Sequence, residues 1–192
     1  MKYCSNCGAS TSLQIPVGDT LLRHVCQHCK TIHYQNPKIV VGCIPEWQGQ
    51  ILLCKRAIEP RYGLWTIPAG FMENDETVEE AAHRETMEEA KASVDLTSLY
   101  AVFSIPHVNQ VYMVFRATMK EKDFGAGEES LEVCLFHINQ IPWRKLAFPV
   151  ITETLERYTQ DRQNGEFPVH VGSIFRSLKT QSTTHISKKT NN

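Results

Sequence analysis

The chain has 192 residues, 42% hydrophobic and 21% charged, with a formal net charge of −1. That balance suits one globular domain of ordinary size with a small appendage, and it excludes a strongly basic binder of nucleic acid or of anionic membranes. No apolar run reaches the roughly 20 residues a membrane helix needs, and Met1–Gly8 lacks the apolar centre of a secretory leader, so no membrane partner and a cytoplasmic location are expected.

Four of the seven cysteines open the chain as Cys4-x2-Cys7, eighteen residues, Cys26-x2-Cys29. In the absence of a leader this spacing reads as a zinc site rather than disulfides. Each pair bites one metal from a tight turn, and four thiolates complete a tetrahedron. Residues 1–34 are therefore expected to form a zinc ribbon, with a hairpin through Ser12–Ile15 and Thr20–Val25 between two knuckles. Cys43, Cys54 and Cys134 sit singly in apolar runs and read as small buried hydrophobes. The flanks of the paired cysteines carry no dense Lys/Arg field, which argues against nucleic acid as a partner.

Tyr34–Pro37 is turn chemistry and a natural hinge into a second domain, residues 35–175. Lys38–Ile44 and Gln50–Arg56 read as a hairpin, and Trp65–Pro68 as a short strand after a loop broken by Pro60 and Gly63. Asn74 or Asp75 is placed to cap the helix that follows. Ser98–Ser104, Gln110–Ala117 and Glu132–Ile138 read as strands, and Val150–Arg162 as a helix. Residues 176–192 are polar and basic, a composition expected to stay disordered.

The helix after Gly70 carries the chemistry. At 100° per residue, Glu85, Glu88 and Glu89 project to one side, on the arc that also holds Val78, Ala81 and Ala82. Carboxylates on a stripe that should face protein are costly without a partner. A hard cation such as Mg²⁺ (or Mn²⁺) fits oxygen ligands.

These residues resemble the Nudix hydrolase signature: a glycine, five residues, Glu, seven residues, Arg-Glu, an aliphatic, any residue, Glu-Glu, any residue, a glycine and an aliphatic. The match falls on Gly70, Glu76, Arg84, Glu85, Glu88 and Glu89. Thr86 and Ala92 replace the aliphatics and Lys91 replaces the second glycine, so the helix is expected to run slightly further. The resemblance implies an α/β fold, a Nudix α/β/α sandwich around a mixed sheet, here preceded by the ribbon. It implies Glu85, Glu89 and the Ala69 carbonyl as ligands of catalytic Mg²⁺, with Glu88 completing the cluster. It also implies that Arg84 pairs with Glu76, with Glu80 as the competing partner.

A second acidic source is the Gly125–Glu132 segment. By similarity Glu132 adds an acid to the metal cluster, and Glu129 serves as general base. Arg56 and Arg61 are candidates for substrate phosphate or base, and His107 and Gln110 for the other half of the substrate. The ribbon, the PAGFME run and SIPHVNQVYMVF resemble the ribbon-bearing group that includes plant plastid FAD and ADP-ribose pyrophosphatases. The expected activity is Mg²⁺-dependent hydrolysis of FAD or ADP-ribose, releasing AMP and FMN or ribose 5-phosphate. NADH pyrophosphatase, removal of a nucleotide cap, and a non-catalytic nucleotide sensor are the alternatives, and a homodimer is allowed.

Overall fold

In the computed structural model, which describes residues 1–175, the chain divides after Pro37 into two units. The tail expected to be disordered lies outside the described residues.

The first unit, Met1–Pro37, holds β1 (Thr11–Gln14), β2 (Arg23–Cys26) and β3 (Ile32–His33) in one antiparallel sheet. The hairpin is shorter than expected. Asp19 turns the chain early: its N–H bonds the Pro16 carbonyl at 3.0 Å, while its carboxylate accepts the Thr20 and Leu21 N–H groups. Gly8 and Lys30, which follow the two cysteine pairs, both take positive φ, 73° and 61°. Among hydrophobic residues of this unit, Cys4, Val25 and Cys26 are buried. So few buried groups cannot offset the conformational entropy of ordering the unit.

The second unit begins with β4 (Lys38–Trp47) and β5 (Gln50–Arg56). Gln48 and Gly49, at φ 46° and 85°, join them in a two-residue turn whose twist suits a hairpin. Pro45–Trp47, expected as loop, therefore belongs to β4. Next come β6 (Trp65–Thr66), β7 (Ala69–Phe71) and α1 (Val78–Ala90). They are followed by β8 (Val94–Ile105), β9 (Gln110–Met119) and β10 (Ser130–His137). α2 (Pro149–Asn164) and β11 (His170–Ser173) complete the unit.

The sheet order is β10-β5-β4-β9-β8-β11, with β6 on β5 and β7 on β4. β4 runs parallel to β9 and β8 parallel to β11, so the sheet is mixed. Side chains alternate along β4. Val40 and Ile44 pack with Val150, Ile151, Leu155 and Tyr158 of α2. Val41 and Cys43 pack with Ala81, Ala82 and Ala90 of α1. The helices thus cover opposite faces, which is an α/β/α sandwich.

β11 was not foreseen. The four residues His170–Ser173 give little periodicity, and tertiary bonds fix them instead. His170 Nε2 meets Asp161 Oδ2 at 2.6 Å, and the Tyr100 hydroxyl donates to the same oxygen at 2.7 Å.

Candidate active site

Thr77, not Asn74 or Asp75, caps α1. Its hydroxyl accepts the Glu80 N–H at 3.2 Å, and the Glu80 carboxylate accepts the Thr77 N–H at 2.8 Å. This is a capping box, and the T-x-x-E run was its signal. Removing the Thr77 hydroxyl should cost about 1 kcal/mol. Glu80 is thereby committed and does not compete for Arg84.

The opposite end of α1 also differs from expectation. The helix does not run on: Lys91 takes a left-handed conformation at φ 50°, its N–H bonding the Met87 carbonyl. A non-glycine residue there costs roughly 1–2 kcal/mol.

Between these ends α1 sets two carboxylates against the sheet. Glu85 and Glu89 are 8% and 6% exposed, whereas Glu88 is exposed. The three therefore do not share one buried arc. Glu89 Oε2 accepts the Ala69 N–H at 3.1 Å, which brings β7 against this turn of the helix. Burial pushes the Glu89 carboxyl up to about 8, against the lowering effect of that N–H. Burial also raises Glu85, despite its bond to Arg84. A Cβ at Gly70 would overlap the Glu85 carboxylate, so a side chain there would have to displace that group.

Arg84 ties the loop to the helix. Its Nη2 and Nε donate to the two oxygens of Glu76 at 2.7 and 3.0 Å, and Nη2 also reaches the Phe71 carbonyl. Nη1 donates to Glu85 at 2.7 Å and to Glu88 at 3.0 Å. The fork holds the Glu76 carboxyl down at about 2.

The two acids of the Gly125–Glu132 segment part company. Glu129 is exposed, and its charge raises both Glu85 and Glu89. Glu132 is not brought to this group. Like Cys134 and Phe136, which pack on the α2 side, it points to the face opposite α1. There it meets Lys55 at 3.3 Å and the Cys134 thiol, bonds that lower its carboxyl. A bulge between Ser130 and Glu132 sets that direction.

Burial raises Tyr112 as it raises Glu89, and the Arg56 charge partly opposes both. The Arg56 guanidinium lies 5.2 Å from the Phe148 ring centre, and its Nε donates to the Pro60 carbonyl. Tyr112 and Phe148 had no signal in the sequence beyond their apolar runs. Arg61, at φ 74°, lines a shallow pocket with Leu146, Phe148 and Thr152. His107 is exposed in a 3-10 turn, and Gln110 opens β9 two residues before Tyr112.

In the first unit the four cysteine sulfurs lie within 4.8 Å of one another. The Cys4–Cys29 and Cys7–Cys26 separations are 3.7 and 3.4 Å. A tetrahedron with Zn–S bonds of about 2.3 Å has edges of about 3.8 Å, so this donor set fits Zn²⁺. The four thiols share protons: bonds from the Thr31 hydroxyl and backbone lower Cys29 to about 5, while Cys7 is raised to about 11, partly by its bonds to the other cysteines. In the second unit, two buried carboxylates with too few donors around them fit a hard divalent cation.

Residues 36–158 match the NUDIX domain family, and residues 2–35 match the family described as Nudix N-terminal. A crystal structure of a NUDIX hydrolase from Nitrosomonas europaea shares 56% identity at a TM-score of 0.89, covering 92% of this chain and all of that one. The ADP-ribose pyrophosphatase of Methanocaldococcus jannaschii is 37% identical over 121 residues, 60% of this chain and 69% of that protein. The NAD-capped RNA hydrolase NudC of Photorhabdus laumondii is 30% identical over 149 residues, 73% of this chain. The chain spans about half the length of that hydrolase, 53%. With a NUDIX domain over most of its length and a Nudix N-terminal ribbon ahead of it, the chain belongs to the Nudix hydrolase family.

Proposed function

We propose that the chain hydrolyses the diphosphate of a nucleoside diphosphate linked to another moiety, with ADP-ribose or FAD as substrate and AMP as one product. The observation that carries this is the buried Glu85–Glu89 pair, pressed against the Ala69–Phe71 strand, with Arg84 bonded to Glu85 and the Ala69 N–H to Glu89. Glu85 and Glu89 would hold Mg²⁺ or Mn²⁺, with the Ala69 carbonyl as a further ligand. When bound, the ion would neutralise the phosphoryl oxygens and acidify a water. Arg56 binds a phosphate beside Glu89. Glu129 takes the proton of the attacking water, a contribution of about 10²–10⁴-fold for a well-placed base. Water adds to one phosphorus, the bridging P–O bond breaks, and the second phosphate leaves. Glu88 and Glu76 act through Arg84. His107 and Gln110 read the half of the substrate that is not AMP. The four cysteines hold a structural Zn²⁺.

The M. jannaschii relative supports ADP-ribose as substrate. A second reading, removal of an NAD cap from RNA, is favoured by the likeness to the P. laumondii hydrolase, and it uses the same bond cleavage on a larger leaving group. The test is a panel of ADP-ribose, FAD, NADH and NAD-capped RNA with Mg²⁺, products resolved by mass. AMP with ribose 5-phosphate or FMN is expected. Cleavage of none of them would overturn the reading and leave a nucleotide-sensing module.

A further inference from the structure

The loop that carries Glu129 is bonded to the end of α1 by its glycines. Gly125 N–H donates to the Ala90 carbonyl at 2.8 Å, and Gly127 N–H donates to the Glu89 carbonyl at 3.1 Å. These are carbonyls that a helix end leaves without partners. A glycine at the helix terminus often helps satisfy them, and here Lys91 stands in that place. On its other side the loop is held by Ala57 N–H, which donates to the Glu129 carbonyl at 2.8 Å, and by Ser130 N–H on the Gly127 carbonyl.

Neither Gly125 nor Gly127 is among the residues with positive φ. Backbone conformation therefore does not require glycine at either place. Space does, and only at one of them. A Cβ at Gly127 would overlap the Glu88 carbonyl oxygen, with the Glu89 Cα at 3.2 Å, whereas a Cβ at Gly125 would meet only the end of Lys91, at 3.8 Å. The group in the way at Gly127 is helix backbone inside the acidic turn, which cannot step aside. A side chain at Gly127 must lift the loop.

We propose that Gly127 is a positioning residue: its missing side chain lets the loop seat on the last turn of α1, and that seat holds Glu129 beside Glu85 and Glu89. The loop that closes the helix end is thus also the loop that presents the third acid. Gly127 N–H bonds the carbonyl of Glu89 itself, and Glu129 follows two residues later. The proposal rests on the diphosphate-hydrolase reading above. A displacement of about 1 Å at a catalytic group can cost on the order of a hundredfold in rate.

The test is a double-mutant cycle on ADP-ribose hydrolysis with Gly127→Ala and Glu129→Gln, with Gly125→Ala as the control that adds the same methyl without the clash. Gly127→Ala is expected to lower kcat roughly tenfold to a hundredfold with KM changed by less than about twofold. In the Glu129→Gln background the same change should cost less than about twofold, because the group it displaces is gone. Gly125→Ala should keep its rate within about twofold of wild type. Amide exchange supplies a readout independent of activity: Gly127→Ala should lose protection at residue 127 while the centre of α1 keeps it. Additive losses in the cycle, or a fully active Gly127→Ala, would overturn the proposal. So would a wild-type rate in Glu129→Gln, and that result leaves the hydrolase reading standing on Glu85 and Glu89. If wild type cleaves no diphosphate, that reading fails instead, and the exchange experiment still decides whether the loop is seated by Gly127.

Discussion

Arg84 and Glu76 are joined by two parallel hydrogen bonds, Nη2 to Oε1 at 2.7 Å and Nε to Oε2 at 3.0 Å, across the loop that leads into α1. The bond pair fixes the loop between β7 and the helix, so Gly70 stays pressed on Glu85. Lysine offers a point charge and cannot reproduce the fork. Arg84→Lys should therefore lower both activity and Tm, and Glu76→Gln should do so to a smaller degree. Thermal melts beside steady-state rates check this. Wild-type values for Arg84→Lys would remove the brace from the account.

The same pair gives the acid limb of stability a definite origin. Glu76 titrates at about 2 in the folded chain against an ordinary 4.5, chiefly because of the Arg84 bond. A lowered folded pKa contributes stability that is present above 4.5 and is lost as pH falls toward 2. Wild-type Tm should fall across that window, and Glu76→Gln should show a flatter limb there. Parallel limbs in melts across this range would contradict the assignment.

Much of this was legible in the sequence, for physical reasons. Glu85 and Glu89 share a side of α1 through the helix repeat alone, whereas the Arg84–Glu76 pair was implied by the family resemblance and closes across a short loop. Glu88 reads as a neighbour of Glu85 and Glu89 on a helical wheel, yet it lies exposed, bonded to Arg84 at 3.0 Å. Glu132 was unreadable: which face of β10 it takes depends on the bulge after Ser130, and Lys55 is brought to it by a partner strand far away in sequence. The left-handed Lys91 was hidden for a similar reason, since the glycines that close the helix end arrive from residues 125 and 127.

The ribbon makes a separate prediction. Its buried apolar residues are too few to fold it, so metal binding should supply the folding energy. Cys26→Ser should release zinc and abolish amide-exchange protection within residues 2–35, while cleavage of ADP-ribose persists. Metal analysis of reduced, freshly purified protein should find about one zinc per chain. Zinc-free protein with a fully protected ribbon would contradict this.

The reading that Gln110 recognises the non-AMP half of the substrate makes its own prediction. Gln110 lies two residues before Tyr112 and so on the same side of β9. ADP-ribose and FAD should be cleaved with higher kcat/KM than NADH. Gln110→Ala should shift that ratio roughly tenfold while leaving metal dependence unchanged. Parallel kinetics on the three substrates check it, and a wild-type preference for NADH would reverse the assignment.

The central claim is that the buried pair on α1 carries the chemistry, and Glu89→Gln tests it most directly. Glutamine keeps the shape and can still accept the Ala69 N–H, but a neutral amide is a poor ligand for a hard cation. Burial pushes the Glu89 carboxyl up to about 8, so below that pH the metal-free group is already largely neutral and Tm without metal should match that of wild type. The measurement is the rate of Mg²⁺-dependent ADP-ribose hydrolysis by purified Glu89→Gln, read beside its melt. The account predicts a loss of roughly 10²-fold or more with the fold intact, and a wild-type rate from the folded variant would contradict it.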